Sequence, residues 1–516
     1  MFRFKLVLAL LVIVAGCAQQ AAQPRGVRGG DGTLRLSFIG EPRTLNPNLG
    51  PDEPALVVTT NLFNRLISLS ADGNVVPELA ERWDESDDGL TYTFYLRPDV
   101  RWHDGRTLTA EDVRLTLLRV KQESANRDVA ARIAEVTAPQ SRVIVVRLDR
   151  PWAAFLPSFA WYGTSILPAH IYGAGAWANH PANLKPIGTG PFKLKLWEPG
   201  KRIVIEKNDD YFGPGPYLDQ VEYRFAATTE ESADRLLRGE TDLLMGRTPA
   251  HLLNAMLQSP KLRVLTAPAD GRTYLTLNLR RRPLDDVRVR RAINMAIDRR
   301  AIVNNALGGL GAPATGFYTP SVAWAYNGNA RAPSFDPAGA RRLIAASVPP
   351  GYVATFICST FGSGAVIAEA IATQLASVGL RVRTRCVPPQ EYFKLLFEDH
   401  DFDLAVLAGS QGPDPDSLAT RFGSQGGSQI MGYSNAELDA VLARGGGSSD
   451  MSVRATAYFR AQEILAEDLP IAPLVENVRV TISRIGIRGL PQDDARGLVP
   501  EYRYNLVRLP RGEASR

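Results

Sequence analysis

Alternating and periodic apolar positions divide most of the chain into short strands and amphipathic helices. Residues 90–96, LTYTFYL, are rich in aromatic and threonine side chains and follow the turn-forming residues 87–89, so they predict one arm of a β-hairpin. Thr109 then precedes a helix, and Asp112 stands three positions on, where its carboxylate can reciprocate the N-cap. The apolar face of this helix is formed by Val113, Leu117 and Val120.

The same patterns predict an alternation of strands and helices over the rest of the chain. Strands are predicted at residues 34–39, 143–148, 203–207, 218–225, 274–279 and 402–407. Helices are predicted at residues 55–66, 230–238, 287–305, 338–346 and 452–467. Such alternation is typical of an α/β protein with mostly parallel sheets covered by helices.

Two of the three cysteines end the strands of a predicted βαβ unit. Cys358 closes the strand at residues 352–357, Cys386 closes the strand at 380–385, and residues 365–378 between them have the pattern of a helix. The two strands of such a unit are parallel, which places both thiols near equivalent points. A disulfide bond and two separate buried thiols remain the alternatives, since a bond needs the right Cα separation and facing side chains.

The N-terminus has the pattern of an export signal. Residues 1–16 combine Arg3 and Lys5 with an apolar run, residues 6–14, that is too short to span a bilayer. Residues 14–17, VAGC, look like a lipobox, in which Cys17 becomes the lipidated first residue of the mature protein. An ordinary cleaved signal or a short membrane anchor is the alternative. Residues 17–32 have no apolar period and predict a flexible tether, with all later residues outside the cytoplasmic membrane.

Composition describes a large globular body. The chain has 516 residues, of which 45% are hydrophobic and 22% charged, enough for two or three domains. The formal net charge of +5 is small, and basic and acidic residues alternate along the chain. We therefore expect no nucleic-acid partner. The local excess of arginine at residues 280–282 and 288–300 is typical of a solvated helix face, and attraction of an acidic ligand or of the importer is the alternative.

Besides the run at residues 80–120, five sequence runs follow one another along the chain: EPRTLNP at 41–47, PIGTGPFKLKLWEPGKRIVIEKNDDYFGPGPYLD at 186–219, PLDDVRVRRAINMAIDRRAIV at 283–303, FDPAGARRLI at 335–344 and PDPDSL at 413–418. Together these runs resemble the family 5 solute-binding proteins, which bring oligopeptides, dipeptides, nickel chelates or sugars to ABC importers. The resemblance extends from about residue 34 to 509.

The resemblance implies an α/β, class II periplasmic-binding-protein-like fold with two lobes joined by a hinge plus an inserted subdomain. Lobe I would contain residues 33–46, 187–270 and 480–510, the inserted subdomain residues 47–186, and lobe II residues 271–479. The chain would cross between the lobes at residues 268–274 and 473–480. A peptide or peptide-like solute would bind in the interlobe cleft of a monomer, and ABC permease and ATPase subunits would be separate chains.

The loop after the predicted strand at 402–407 is the main ligand-binding candidate, with Ser410, Gln411, Gly412 and Asp414. In peptide-binding members this loop usually carries a tryptophan and then an aspartate that pairs with the peptide's amino group. The corresponding places fall at or near Ala408 and Gln411, so both differ here. A neutral amide gives an ammonium ion no charged partner, which puts an unmodified peptide in doubt.

Further ligand-binding candidates each have a structural alternative. Asn278 offers two donors and an acceptor to a peptide-like ligand, but an equal expectation is that it pins the neighbouring turn. Glu41 and Thr44 follow the first strand at its carboxyl end, where open α/β sheets bind ligands, and a helix-capping or turn role is the alternative. Gly188 and Gly190 approach a ligand or form a turn. The aromatic candidates for the cleft floor, or for the core, are Trp152, Trp161, Tyr162 and Trp177.

Catalytic, metal and cofactor motifs offer little support for an enzyme. None of the five histidines has an HExxH or other metal spacing, and residues 361–364, FGSG, are not a nucleophile elbow. No nucleotide-binding loop of the GxxxxGKS type is present, so the ATPase must be another chain. We therefore predict no catalytic residues, no metal and no cofactor. An orphan solute sensor or a peptide-holding chaperone on the same fold remains an alternative.

Overall fold

The computed structural model describes residues 32–50, 53–70, 73–124, 127–161, 164–245, 250–360, 362–426, 430–491 and 502–510. The predicted signal peptide and all of the tether before Gly32, including Cys17, lie outside these residues, as does Tyr162. Predictions about those positions stay predictions.

Strands within the described residues carry labels in chain order. They are β1 Thr33–Ile39, β2 Ile67–Leu69, β3 Val75–Pro77, β4 Ala80–Glu85, β5 Thr91–Leu96, β6 Ile133–Gln140, β7 Val143–Leu148, β8 Phe192–Glu198, β9 Arg202–Lys207, β10 Gln220–Ala226, β11 Leu243–Met245, β12 Leu262–Leu277, β13 Ala312–Pro313, β14 Val353–Ser359, β15 Arg381–Val387, β16 Leu404–Ser410 and β17 Ile471–Arg484.

The α-helices of the same residues are labelled likewise. They are α1 Glu53–Leu62, α2 Ala110–Glu123, α3 Arg127–Ala130, α4 Phe155–Ala160, α5 Ala169–Tyr172, α6 Thr229–Arg238, α7 Ala250–Leu257, α8 Val287–Ala296, α9 Arg299–Ala301, α10 Pro337–Ser347, α11 Gly364–Ser377, α12 Pro389–Phe393, α13 Ser417–Phe422, α14 Ala436–Gly446 and α15 Met451–Asp468.

One mixed sheet runs through the molecule in the order β15-β14-β16-β12-β17-β11-β1-β10-β9-β8. Its two central strands, β12 and β17, are antiparallel and span 16 and 14 residues. Their pairing is interrupted between Pro268 and Arg272, which pair with Val478 and Glu476. A proline has no N–H to donate to a ladder, so an irregularity at Pro268 follows from its chemistry.

The interruption separates two halves of this sheet. On one side β17 pairs with β11, which continues into β1, β10, β9 and β8 and defines lobe I. On the other side β12 pairs with β16, which continues into β14 and β15 and defines lobe II. Strands β12 and β17 therefore belong to both lobes, and their interruption lies within the segments predicted to cross between lobes.

A separate subdomain is inserted between β1 and β8. It contains the four-stranded antiparallel sheet β4-β5-β7-β6 and the hairpin β2-β3. The predicted hairpin arm is confirmed as β5, whose residues alternate between buried and half-buried. The predicted helix is confirmed as α2, where the backbone N–H of Thr109 donates to Asp112 Oδ2 at 2.8 Å. This capping box fixes the start of α2.

Buried apolar clusters form the cores of both lobes, and one of them connects lobe II with the subdomain. One cluster lies beside α8, α10 and α11 and includes Leu275, Phe356 and Ile371. A larger cluster extends from lobe I through the subdomain and reaches Phe422 on α13 and Tyr458 on α15. The α13 and α15 side of lobe II thus packs towards the subdomain.

The βαβ unit of lobe II is formed by β14, α11 and β15. Strands β14 and β15 are parallel and place Cys358 directly beside Cys386. The structure joins the two sulfur atoms in a disulfide bond, with Cα atoms 4.4 Å apart. This separation lies within the range that disulfides occupy.

The long helix predicted at residues 287–305 is wrong in its length. Helix α8 ends at Ala296, Ile297 is extended, and Asp298 begins α9 by accepting a hydrogen bond from Ala301 N–H at 3.0 Å. An aspartate side chain competes with the helical backbone in this way, so it starts a new helix rather than continuing the old one.

Candidate functional site

The carboxyl ends of the parallel strands in both lobes turn towards the interlobe crossing. In lobe II, β14 is parallel to β16, and Ser410 at the end of β16 pairs with Gly271 beside the interruption in β12. In lobe I, β1 is parallel to β11, whose last residue, Met245, pairs with Thr481 of β17. Open α/β sheets bind ligands outside these ends, so the candidate site lies where the two edges face each other.

The loop after β16 has a compact hydrogen-bonded form. The Gln411 side chain is buried, 2% exposed, and its Oε1 accepts from Arg421 Nη1 at 2.7 Å. Arg421 Nη2 also donates to the Ser410 carbonyl at 2.8 Å, and Gly412 N–H donates to Ser410 Oγ at 3.0 Å. Gly412 has a φ of +75°, which favours glycine. Ala408, by contrast, is exposed.

Both acidic residues of this loop are already engaged. Asp414 is buried and its Oδ1 lies 2.6 Å from Nη2 of Arg454, in an ion pair whose side chains are 5% and 6% exposed. Burial raises the pKa of Asp414, and the guanidinium of Arg454 opposes that rise. Asp416 Oδ2 accepts a hydrogen bond from Trp152 Nε1 at 2.7 Å. Asp414 therefore supports the loop from inside, in an ion pair that already occupies its carboxylate.

Trp152 is a contact between the subdomain and lobe II. Besides its bond to Asp416, the neighbouring Ala153 N–H donates to the Gly446 carbonyl at 3.1 Å. The other aromatic candidates differ: Trp161 is half-buried, and Trp177 is fully buried in the subdomain, edge-on to Tyr172. For Trp177 this position fits the core alternative.

The lobe I candidates hold local structure. Glu41 accepts hydrogen bonds from Trp197 Nε1 at 2.7 Å and from Gly200 N–H at 2.9 Å, which ties the start of the loop after β1 to the β8–β9 hairpin. Thr44 Oγ1 accepts from Asn46 N–H at 3.0 Å. Both side chains are partly exposed. The contact of Thr44 fits the turn role given as its alternative, whereas Glu41 joins two segments that are distant in the sequence.

Asn278 is 1% exposed and all parts of its amide are used within lobe II. Its Nδ2 donates to the carbonyls of His400 and Phe402 at 3.1 and 2.9 Å, and its Oδ1 accepts from Arg280 N–H at 3.2 Å. These contacts fit the turn-pinning alternative and leave no donor for a ligand in this conformation.

Gly188 and Gly190 serve backbone packing. A Cβ at Gly188 would overlap the carbonyl oxygen of Leu62 at the end of α1, and one at Gly190 would overlap Asn61 and Leu62. The ring of His103 lies between these two glycines. Its Nδ1 accepts a hydrogen bond from Gly188 N–H at 3.1 Å, and its Nε2 lies 3.1 Å from the Gly190 carbonyl oxygen. Burial lowers the pKa of His103 to about 4, so the ring is neutral at pH 7.

Sequence reasoning missed three residues at the crossing. Arg272 of β12 is 3% exposed and donates to Glu476 of β17 at 2.8 Å and to the Gly316 carbonyl at 2.9 Å. Burial lowers the pKa of Arg272 and raises that of Glu476. Opposite charges in the two predicted crossing segments were the available signal for this pair. Arg421, ten residues after Gln411 on α13, had no such signal.

Metal and membrane features complete the description. Within the described residues, no group of three or more His, Cys, Asp or Glu side chains is placed to hold a metal ion. None of the described helices is both long enough and apolar enough to cross a bilayer.

Comparison with known proteins identifies the family. Residues 74–429 match the model for bacterial extracellular solute-binding proteins, family 5 middle. The dipeptide-binding protein of Pseudomonas aeruginosa PAO1 is 30% identical over 475 residues, covering 85% of this chain and 88% of that protein.

Two solved structures have the same architecture. The ABC transporter substrate-binding protein CtaP of Listeria monocytogenes matches with a TM-score of 0.84 and 25% identity, over 94% of this chain and 100% of that one. The periplasmic binding protein DppA of Helicobacter pylori, in complex with the peptide STSA, matches with a TM-score of 0.80 and 26% identity, over 93% and 98%. These matches confirm the two-lobed fold with its inserted subdomain, and the chain belongs to the bacterial extracellular solute-binding proteins of family 5.

Proposed function

We propose that this protein is the substrate-binding component of an ABC importer and captures a peptide or peptide-like solute between its two lobes. The observation that carries the proposal is the pair of strands β12 and β17, which run through both lobes and lose their regular pairing between them. A peptide-like solute is supported by two relatives, one named a dipeptide-binding protein and one solved in complex with a peptide.

Capture in this proposal is a closure of the lobes around the solute. The interruption between Pro268 and Arg272 removes ladder hydrogen bonds at the crossing, so a change of backbone angles there costs little pairing. The loops after β1 and β16 would then meet across the cleft and exclude water from the solute. The protein would bind and release the solute unchanged, and permease and ATPase chains would complete the importer.

The domain boundaries of this proposal follow the sheet. Lobe I takes residues 33–46, 187–270 and 480–510, the inserted subdomain residues 47–186 and lobe II residues 271–479. Strands β1 and β8 to β11 all lie within the first set, and β14 to β16 lie within the last. We expect a monomer, as one chain supplies both walls of the cleft.

We also propose a location outside the cytoplasm. The names of its family and of periplasmic relatives, such as a peptide transport periplasmic protein, support this location. The lipobox pattern at residues 14–17 further supports a lipid anchor on Cys17, with residues 18–32 as the tether between membrane and lobe I.

Native mass spectrometry tests this function. The protein, purified from its native envelope, is mixed with a pool of di- to pentapeptides and sprayed intact. We expect a peptide-sized adduct at one per chain, released with its mass unchanged after prolonged incubation. Absence of any adduct would refute peptide capture, and shortened peptides would show hydrolysis instead of binding.

A further inference from the structure

Arg421 presents a guanidinium group beside the loop that ends β16. Its Nη1 donates to Gln411 Oε1 at 2.7 Å and its Nη2 to the Ser410 carbonyl at 2.8 Å. The side chain is only partly buried, and Ser410 next to it is exposed at the carboxyl edge of lobe II. The guanidinium is therefore fixed in place at the face of the candidate cleft.

Both protein acceptors of Arg421 are uncharged. Within the described residues, Arg421 forms no ion pair, while the nearby carboxylates have other partners. Asp414 pairs with Arg454 at 2.6 Å, and Glu476 pairs with Arg272 at 2.8 Å. Asp416 accepts from Trp152. Among the residues that the structure describes, the positive charge of Arg421 thus has no counter-charge at this edge.

The guanidinium of Arg421 also has an aromatic ring and a second arginine nearby. The guanidinium carbon of Arg421 lies 5.7 Å from the centroid of the Tyr274 ring on β12, within the range of a cation–π contact. The charge of Arg421 is also felt by the buried Arg272, whose pKa it helps to lower. Neither neighbour neutralises Arg421.

The chemistry of such a group is specific. A guanidinium has five N–H donors in a planar fork, and this fork matches a carboxylate in two parallel hydrogen bonds. Two of the donors hold Arg421 against Ser410 and Gln411, which orients the plane before any ligand arrives. A held cation pays less entropy on binding than a free one.

We propose that Arg421 determines specificity by receiving a carboxylate of the solute, so that this end of the cleft selects an acidic group rather than an ammonium ion. The inference rests on the proposed capture of a peptide-like solute and names the group by which the solute is held. It also gives Gln411 a role: its neutral oxygen orients Arg421 without cancelling the charge.

A carboxylate-binding Arg421 can be distinguished from a mere absence of an aspartate at position 411 by one consequence. An aspartate placed at position 411 would lie beside Arg421, at the place where Gln411 Oε1 now accepts at 2.7 Å. The new carboxylate would be neutralised by Arg421, so Gln411→Asp alone would not create a site for an ammonium ion. The double variant, Gln411→Asp with Arg421→Gln, would create such a site because its carboxylate no longer has the Arg421 guanidinium beside it.

Four peptide pools test the proposal in native mass spectrometry and titration calorimetry. Three contain di- to pentapeptides without Asp or Glu: unmodified, N-acetylated and C-amidated. The fourth is C-amidated but carries one Asp or Glu. We expect the acetylated pool to bind about 10-fold or more tightly than the amidated acid-free pool. Binding of the fourth pool would assign the carboxylate to a solute side chain instead of its C-terminus.

Variants of position 421 test whether Arg421 causes the preference for carboxylate-bearing peptides. Arg421→Gln should weaken the carboxylate-bearing pools about 10-fold and leave the amidated acid-free pool unchanged, and Arg421→Lys should fall between. Arg444→Gln, which removes an exposed arginine of α14, is the control for net charge. The double variant with Gln411→Asp should reverse the preference towards free amino groups. Thermal melting of each variant verifies the fold.

Two outcomes would overturn the proposal. If the amidated acid-free pool bound the unaltered protein as tightly as both the acetylated pool and the acid-containing amidated pool, or more tightly, the cleft would not select a carboxylate. An unchanged acetylated-pool affinity in Arg421→Gln, relative to Arg444→Gln, would exclude this residue. In both cases peptide capture itself would still stand, whereas failure of all four pools to bind would remove the proposed function as well.

Discussion

Replacing Asp414 with asparagine should destabilise lobe II by about 3 to 5 kcal/mol, because it leaves the buried charge of Arg454 without a partner. The two side chains meet at 2.6 Å and are 5% and 6% exposed, and the guanidinium carbon of Arg454 lies 5.0 Å from the ring centroid of Trp324 and 5.6 Å from that of Tyr458. Water cannot replace the lost carboxylate in such a place. The free energy of unfolding, measured by urea titration, gives the loss.

An exposed ion pair supplies the matched control. Arg281 and Asp401 meet at 2.7 Å, but their side chains are 36% and 56% exposed, so Asp401→Asn should cost less than about 1 kcal/mol. Joint replacement of the buried pair, Asp414→Leu with Arg454→Met, should recover much of the stability, since no charge is then left buried. Equal losses for Asp414→Asn and Asp401→Asn would refute the buried ion pair.

Replacing Cys17 with alanine should release the protein from membranes almost completely. Each buried CH₂ of an acyl chain contributes ~0.8 kcal/mol of anchoring, and the polar tether at residues 18–32 offers little apolar surface to replace it. Fractionation of cells after a high-salt wash gives the measurement. Ala21→Ser, a change within the tether that leaves the lipobox intact, is the control.

Retention of the alanine variant in the washed membrane fraction would contradict the lipid anchor. It would favour the short membrane anchor that the apolar residues 6–14 left as an alternative. Release of the unaltered protein by the same wash would favour an ordinary cleaved signal.

Local patterns predicted the elements whose ends are fixed by local chemistry. Strand β5 and helix α2 are such cases, because the turn at residues 87–89 and the Thr109–Asp112 capping box operate within a few residues. Of the crossing strands, only the end of β12 was predicted, as a strand at residues 274–279, and β17 was not predicted as a strand. Each contributes to two lobes, and Pro268 and Pro473 interrupt the strand pattern that a single lobe would show.

The sequence predicted where the candidate site lies in the fold, but not which residues its side chains contact. Residues 410–414 do lie at the carboxyl edge of lobe II, as the strand before them required. The partners of Gln411 and Asp414 could not be predicted, because they are Arg421 and Arg454, residues that only the folding of α13 and α15 brings near the loop. Asn278 likewise bonds to carbonyls more than 100 residues away.

The ion pair of the buried Arg272 with the half-buried Glu476 lies between the crossing and the candidate site. It joins β12 to β17 next to the interruption in their pairing, and Arg272 is near enough to Arg421 to respond to its charge. A solute bound at Arg421 would therefore act close to the backbone that has to move when the lobes close.

Solution scattering with and without solute tests the central claim, that a solute is bound between two lobes which close on it. Peptides retained in native mass spectrometry provide the solute, and the same protein without peptide is the reference. We expect the radius of gyration to fall when the solute is added at saturation, as domain closure makes the molecule more compact. A bound solute that leaves the radius of gyration unchanged would contradict capture by closure.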